Sequence, residues 1–196
     1  MENIRCFIAI DFCQDTLQQV IWIQNQLSKD GFQEIRWMKA DNLHITLKFL
    51  GDTSVGKITE LTNKIDEVCA TTQSFELSYE KMGVFPGWAN PRILWLGFEK
   101  SAQLHSLAEK IETVCNELGF EAEKKSFSPH LTIGRFNRDF PLHKTALLQE
   151  KCNLLVFAIT KEKITNVHLY RSILKPSGAE YSRIHSSKLN GSVNSC

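Results

Sequence analysis

The amino-acid sequence predicts an α+β fold in which two copies of one unit pack around a central cleft. Three observations support this fold class. The chain has 196 residues, of which 42% are hydrophobic and 23% are charged, as is typical of one domain or two closely packed halves. Short apolar runs of strand length alternate with segments whose apolar residues recur at intervals of three and four. The order of these segments occurs twice along the chain.

The first copy covers about residues 4–82 and has the order strand, helix, strand, helix, strand. Its predicted elements are a strand at 5–12, a helix at 17–27, a strand at 44–49, a helix at 58–69 and a strand at 75–82. The first helix is expected to end before Gly31, because glycine readily adopts the left-handed conformation that closes a helix.

The second copy covers about residues 91–164 and repeats this order. Its predicted elements are a strand at 92–98, a helix at 104–118 that ends before Gly119, a strand at 130–135, a weaker helix at 142–152 and a strand at 157–164. Neither copy can bury both faces of its elements alone, so we expect one pseudo-two-fold domain over residues 1–185. Residues 186–196 are polar and aperiodic, which predicts a flexible tail.

Two predicted strands carry a His-x-Thr motif and form the candidate site. Side chains alternate between the two faces of a strand, so the apolar residues of 43–47 face the core. His44 and Thr46 then face the other way, as do His130 and Thr132 in the second copy. One His-x-Thr alone is a weak signal, but two on equivalent strands bring two imidazoles and two hydroxyls to one cleft.

These residue types indicate acid–base chemistry on a phosphate group. The unperturbed pKa of imidazole is about 6.5, so at neutral pH one histidine can hold a proton while the other accepts one. Threonine hydroxyls can donate hydrogen bonds to anionic oxygens, and Lys48 and Arg135 add positive charge nearby. In-line displacement at phosphorus needs a base on the attacking water and an acid on the leaving oxygen, on opposite sides. Two histidines on equivalent strands supply that arrangement.

Charge, cysteine spacing and motif content argue against several other classes of protein. The formal net charge is +1, which excludes nucleic-acid binding through a uniformly basic surface. No basic segment leads into a long apolar run, so neither secretion nor a membrane span is expected. The six cysteines lie too far apart for a zinc site and predict reduced thiols in the cytoplasm. No carboxylate adjoins either motif, so neither a catalytic metal nor another cofactor is expected.

Two H-x-[ST]-x motifs lie 86 residues apart, within Asn-Leu-His-Ile-Thr-Leu-Lys-Phe-Leu-Gly at 42–51 and Phe-Ser-Pro-His-Leu-Thr-Ile-Gly-Arg at 127–135. On these motifs the sequence resembles the 2H phosphoesterase superfamily and, within it, the RNA 2′,3′-cyclic phosphodiesterases of the LigT/ThpR type, once called 2′-5′ RNA ligases. The resemblance covers residues 5–181. It implies antiparallel sheets that face a central cleft in a bilobal fold. It also implies metal-independent opening of a terminal 2′,3′-cyclic phosphate to a 2′-phosphomonoester, with reversible 2′-5′ RNA ligation.

The resemblance further implies a role for each site residue. His44 corresponds to the proton donor and His130 to the proton acceptor, although the near symmetry of the site leaves that polarity open from the residues alone. Strict alternation would turn Arg135 away from His130, and a bulge at Gly134 would bring it back. The candidates for phosphate binding are Thr46, Thr132, Arg135 and Lys48.

Aromatic and basic residues near the two motifs are candidates for holding the rest of a nucleotide chain. Stacking retains single-stranded bases without reading their sequence, and the candidate platforms are Phe49, Phe85 and Trp88. Four basic residues that precede the motif strands could follow a phosphate backbone, although such residues are more often simply solvated: Arg36, Lys39, Lys124 and Lys125. The expected partner is an RNA or nucleotide that ends in a 2′,3′-cyclic phosphate, with no membrane partner, and the protein is expected to be a monomer.

Two alternatives remain open at this stage. The same histidine chemistry could act on a different substrate of the superfamily, such as 2′-5′ oligoadenylate or ADP-ribose cyclic phosphate. Alternatively, the chain could be a module that binds RNA ends without turning them over. Both histidines and both threonines are present, which argues against simple binding, since binding alone needs no acid and base.

Overall fold

The computed structural model describes residues 2–155, 161–176 and 178–191, which form nine strands and four α-helices. The strands are β1 (Asn3–Ile10), β2 (Ile35–Trp37), β3 (Ile45–Ser54), β4 (Phe75–Phe85), β5 (Ile93–Phe98), β6 (His130–Phe136), β7 (Lys161–Ile164), β8 (Asn166–Lys175) and β9 (Gly178–Lys188). The helices are α1 (Gln14–Lys29), α2 (Ile58–Ala70), α3 (Ala102–Glu117) and α4 (Thr145–Leu154). The α+β class is therefore confirmed.

The strands form two antiparallel sheets. The first has the order β3-β1-β8-β9 and the second the order β2-β6-β5-β4-β7. In each sheet a strand with a His-x-Thr motif pairs with the opening strand of its own copy, β3 with β1 and β6 with β5. The two motifs therefore occupy equivalent positions in the two sheets.

The copies exchange elements, which is why the chain forms one body rather than two. The strand after α2, β4, pairs with β5 in the second sheet, while β8 pairs with β1 in the first. Each copy also packs a helix on a strand of the other copy, since α1 contacts β6 and α3 contacts β3. One hydrophobic core therefore contains residues from both copies, such as Ile8, Leu61, Leu96 and Leu131.

The equivalence predicted for the last strands of the two copies is wrong. Residues 75–82 and 157–164 resemble each other in residue type, yet Lys161–Ile164 pairs antiparallel with β4 rather than taking the equivalent place in the other sheet. That equivalent place belongs to β8. The second copy therefore extends beyond residue 164, and residues 157–160 lie outside the described residues.

Helices α1 and α3 end as the sequence predicts. Gly31 and Gly119 follow their last turns with φ of 100° and 82°, a backbone region that favours glycine. At the start of α3 the Ser101 hydroxyl accepts a hydrogen bond from the Leu104 amide at 3.2 Å. At the start of α1 the buried Glu162 carboxylate of β7 accepts a hydrogen bond from the Cys13 amide at 3.1 Å. Strand β7 thus secures the first helix.

The prediction of a flexible tail over residues 186–196 is wrong for the first residues of this segment. Residues 186–188 belong to β9, and Leu189 is buried with 1% of its surface exposed. The Asn190 amide donates a hydrogen bond to the Thr72 carbonyl at 2.9 Å. The segment is polar because β9 is an edge strand with much of its surface in solvent. Residues 192–196 lie outside the described residues.

Candidate active site

The two histidines are held in the same way. His44 directly precedes β3, and His130 is the first residue of β6. The Nδ1 atom of His130 donates a hydrogen bond to the Ser128 carbonyl at 2.8 Å, and His44 has a backbone hydrogen bond to Asn42. In both copies the partner lies two residues upstream. For His130 this bond places the proton on Nδ1 and leaves Nε2 for a ligand.

A β-bulge interrupts both motif strands at the same point. In the first sheet Ala9 pairs with Thr46 and Ile8 with Lys48, so residue 47 has no partner in the register. In the second sheet Trp95 pairs with Thr132 and Leu94 with Gly134, so residue 133 is skipped. An extra residue reverses the alternation of side chains beyond it. The motifs therefore share a backbone irregularity as well as residue types.

The bulge makes the prediction for Lys48 wrong. Lys48 faces the protein interior with 1% of its surface exposed, not the face of His44 and Thr46. Its Nζ lies 2.8 Å from Oε2 of Glu112 and donates to the Glu121 carbonyl at 2.6 Å. The charge of Lys48 is thus compensated inside the fold, and the side chain is not available to a phosphate in the cleft.

The corresponding bulge in β6 brings Arg135 to the face of His130, as predicted, although the extra residue is 133 rather than Gly134. Arg135 pairs with Ile93 on β5, and its side chain is exposed. Its positive charge contributes to lowering the pKa of His44, so the guanidinium lies within electrostatic reach of the histidine of the other sheet. Thr46 and Thr132 lie on the same faces as their histidines and are partly exposed.

Aromatic rings enclose His44. Its ring centroid lies 4.8 Å from that of Phe7, 5.3 Å from that of Tyr181 and 6.4 Å from that of Tyr170. Burial lowers the pKa of His44 to about 4, because the charged imidazolium loses water there. The positive charges of His130 and Arg135 act in the same direction, whereas the negative charge of Asp11 opposes them.

Asp11 belongs to a polar cluster beside His44 that the sequence did not reveal. The Tyr170 hydroxyl donates a hydrogen bond to Oδ2 of Asp11, and Nη2 of Arg183 donates to the same oxygen at 2.8 Å. Nε2 of His168 lies 3.6 Å from that oxygen, and burial lowers the pKa of His168. Burial together with Asp11 raises the pKa of Tyr170 to about 12, so this hydroxyl stays protonated as a donor. Only the fold brings these distant residues together.

Fewer aromatic rings contact His130 among the described residues. The Phe85 ring meets it edge to face, with centroids 5.0 Å apart, and Phe85 also contacts Trp95 at 5.1 Å. Trp95 packs over two glycines: a Cβ at Gly83 would come within 2.4 Å of the indole and one at Gly97 within 2.7 Å. These glycines therefore make room for the ring that supports Phe85 beside His130.

The three predicted base platforms take different places. Phe49 lies on the cleft face with 63% of its surface exposed, and its ring centroid is 6.3 Å from that of Phe7. Phe85 contacts His130, as described. Trp88 is partly buried against the hydrophobic core, and among the described residues its ring makes no contact with either histidine. The structure therefore brings Phe85 against His130 and Phe49 against Phe7, which itself packs on His44, whereas Trp88 lies against the core.

Neither a metal-ligand cluster nor a membrane-spanning helix occurs in the part of the chain that the structure describes. Within residues 2–155, 161–176 and 178–191, no group of three or more His, Cys, Asp or Glu side chains is placed to hold a metal ion. Among the helices in those ranges, none has the length and apolar character required to cross a membrane.

Comparison with known proteins gives a consistent family. Residues 25–172 match the family model described as the 2′-5′ RNA ligase superfamily. A protein of Archaeoglobus fulgidus named RNA 2′,3′-cyclic phosphodiesterase is 33% identical over 178 residues, covering 91% of this chain and 96% of the relative. A protein of Thermotoga maritima with the same name is 30% identical over 190 residues, covering 97% of this chain and 98% of the relative.

Solved structures share the fold. The crystal structure of Escherichia coli LigT complexed with 3′-AMP has a TM-score of 0.73 and 24% identity, covering 96% of this chain and 99% of that chain. A protein of Thermus thermophilus has a TM-score of 0.80 and 22% identity, covering 95% of this chain and 98% of that chain. The arrangement of the two antiparallel sheets is therefore one that other proteins also adopt.

Proposed function

The chain belongs to the 2′-5′ RNA ligase superfamily, and from this we propose that its cleft hydrolyses the 2′,3′-cyclic phosphate at the end of an RNA to a 2′-phosphomonoester. The curated relatives named RNA 2′,3′-cyclic phosphodiesterase support this substrate. One observation carries the proposal. Two histidines occupy equivalent strand positions, each oriented by a backbone group two residues upstream and each with a threonine on the same face.

In the proposed reaction His130 is the base and His44 the acid. Water attacks the phosphorus and gives a proton to His130, the bond from phosphorus to the 3′ oxygen breaks, and His44 gives its proton to that oxygen. With the 5′-hydroxyl of a second RNA in place of water, the same displacement joins the two chains through a 2′-5′ linkage. All of these steps use groups of the protein and the substrate.

The phosphate is held by groups that strengthen their contacts as charge develops. Thr46 and Thr132 offer one hydroxyl from each side of the cleft, and Arg135 offers a planar set of donors suited to phosphate oxygens. Arg135 is exposed and its charge acts on His44 across the cleft, which supports this role. Lys48 has no part in it, because its charge is compensated inside the fold.

The acid role of His44 depends on its protonation in the complex. In the free protein burial holds the pKa of His44 at about 4, so the imidazole is neutral at pH 7. The anionic phosphate of a bound substrate favours the imidazolium, and Asp11 acts in the same direction. We therefore propose that substrate binding itself loads the proton donor, with Asp11 as a positioning residue.

Histidine variants test the proposal. The wild type and the variants His44→Ala, His130→Ala and His143→Ala are assayed on RNA ending in a 2′,3′-cyclic phosphate, with EDTA present. We expect each of the first two variants to lose about 10²–10⁴ in kcat, the range for a general acid or base. His143 is exposed and serves as the matched control, which should retain wild-type activity. Full turnover by both His44→Ala and His130→Ala would contradict the proposal.

A monomer in the cytoplasm is the proposed context. A single chain supplies both histidines and both threonines, so one copy suffices for the reaction. Among the described residues, four buried free thiols suit a reducing compartment: Cys6, Cys69, Cys115 and Cys152. Light scattering after size-exclusion chromatography tests the assembly, and a mass above that of one chain would contradict the monomer.

A further inference from the structure

Two arginines lie side by side on the cleft face of the second sheet. Arg36 of β2 pairs directly with Arg135 of β6. Their side chains share one face, because Gly134 and Ile35 lie on the other, where a Cβ at Gly134 would come within 2.6 Å of Ile35. Directly paired residues in antiparallel strands have Cβ atoms roughly 5 Å apart. The pairing singles out Arg36 from the four basic residues that precede the motif strands.

This pairing is unfavourable in the absence of an anion. Like charges directly opposite each other destabilise a sheet. Both guanidinium groups are exposed, and among the described residues neither takes part in an ion pair with a carboxylate. An anion between or beside the two groups would relieve the repulsion and form charge-assisted hydrogen bonds.

The position of Arg36 indicates which anion fits. One row of paired residues crosses this face of the sheet, from Phe85 through Ile93 and Arg135 to Arg36. The row changes from apolar to cationic toward β2, which is an edge strand. Arg36 therefore lies farther from the centre of the sheet than Arg135, on the strand that forms the edge of the sheet.

We propose that Arg36 binds the phosphodiester that joins the terminal nucleotide of the substrate to the nucleotide before it. This rests on the proposed function, in which Arg135 holds the reacting phosphate. The preferred substrate is then an RNA chain of at least two nucleotides rather than a cyclic mononucleotide. Arg36 contributes to binding outside the reacting group and takes no part in the proton transfers.

Three substrates and three proteins test the proposal. The substrates are 2′,3′-cyclic AMP, the dinucleotide ApA with a 2′,3′-cyclic phosphate, and the same dinucleotide with an uncharged methylphosphonate linkage. For the wild type we expect kcat/KM for the charged dinucleotide to exceed that for the neutral one by roughly tenfold at low salt. In Arg36→Gln this ratio should fall close to one, while activity on 2′,3′-cyclic AMP stays unchanged. Arg138→Gln removes another exposed arginine and should keep the wild-type ratio.

The outcomes separate the two proposals. A wild-type ratio of one, or an unchanged ratio in Arg36→Gln, overturns the role of Arg36 while leaving the proposed function intact. A wild type that turns over none of the three substrates overturns the proposed function and this role with it. Equal loss of activity on all three substrates in Arg36→Gln indicates a structural effect and also overturns the role.

Discussion

The motif strands β3 and β6 have the same backbone irregularity but differ in the side chains that follow it. In each of them a threonine lies two residues after the histidine, and a bulge comes directly after the threonine. Beyond the bulge, the first strand has Lys48 inward and Phe49 outward, whereas the second has Gly134 inward and Arg135 outward. The duplicated backbone thus supplies two equivalent imidazoles, and the residues after the bulge make one side aromatic and the other cationic.

The surroundings of the two histidines extend this difference. Three aromatic rings enclose His44, and burial lowers its pKa to about 4. Among the described residues, His130 contacts one ring, that of Phe85. A symmetric scaffold can therefore place two identical residue types in different surroundings, and burial among aromatic rings is what lowers the pKa of His44.

Among the residues that differ between the two strands, removing the cationic Arg135 should have the largest effect on catalysis. Arg135→Met deletes the donor that we propose for the phosphate, and removal of one such donor typically lowers kcat by about 10²–10³. Steady-state kinetics on a cyclic-phosphate RNA measures the loss, and thermal unfolding should be close to wild type because Arg135 is exposed. An unchanged kcat in this variant would contradict the proposed role of Arg135 in phosphate binding.

The corresponding change on the other strand should act on stability instead. Lys48→Met removes the cation from the Glu112 carboxylate, which keeps its hydrogen bond from the Glu123 amide, and the donor from the Glu121 carbonyl, at a cost of about 2 kcal/mol in the free energy of unfolding. Urea unfolding measures this cost. Activity per folded molecule should remain near wild type. A loss of kcat as large as that of Arg135→Met would indicate that Lys48 does bind the phosphate.

The pH dependence tests the electrostatic difference between the histidines. A rate that depends on an acid and a base has limbs at the pKa values of the pair, so one limb of kcat/KM should lie near pH 4, the pKa of His44 in the free protein. The corresponding limb of the kcat profile should lie at a higher pH than that of kcat/KM, because bound phosphate favours the imidazolium form of His44. Asp11→Asn removes a charge that raises this pKa, so we expect the limb to move to lower pH and kcat at pH 7 to fall roughly tenfold.

If Asp11 had only a structural role, Asp11→Asn would lower kcat without shifting the pH at which the limb of the rate profile lies. Tyr170→Phe is the matched control, since it removes one hydrogen bond to Asp11 but keeps the carboxylate charge. Its limb should stay near that of the wild type, and a shift equal to that of Asp11→Asn would contradict the electrostatic explanation.

The aromatic side should give the smallest effect. Phe49 is 63% exposed and offers a face for stacking, which contributes about 1–3 kcal/mol per base in single-strand binding. Because the ring is largely exposed, we expect the lower end of this range, so Phe49→Ala should raise KM for RNA substrates about fivefold with little change in kcat or in thermal stability. An unchanged KM would mean that the base lies elsewhere.

The sequence predicted the elements better than their partners. Apolar periodicity located the four helices, and Gly31 and Gly119 marked two helix ends. The exchange of β4 and β8 between the sheets was missed, because residue type does not encode which distant strand will pair. The histidines and threonines were found because they are duplicated.

Side-chain direction after the motif was the least predictable feature of the site. Strict alternation placed Lys48 in the cleft, but the bulge turned it inward, and Leu47 is not a residue type that signals a bulge. The cluster of Asp11, Tyr170 and Arg183 was also missed, since its members come together only when β1, β8 and β9 form one sheet. Such contacts depend on tertiary structure.

The chemical identity of the product tests the central claim most directly. RNA ending in a 2′,3′-cyclic phosphate is incubated with the wild-type protein in EDTA, and the product is identified by ³¹P NMR. The proposed roles of His44 and His130 predict a 2′-phosphomonoester as the only product. A 3′-phosphomonoester, or no product until a metal ion is added, would contradict them.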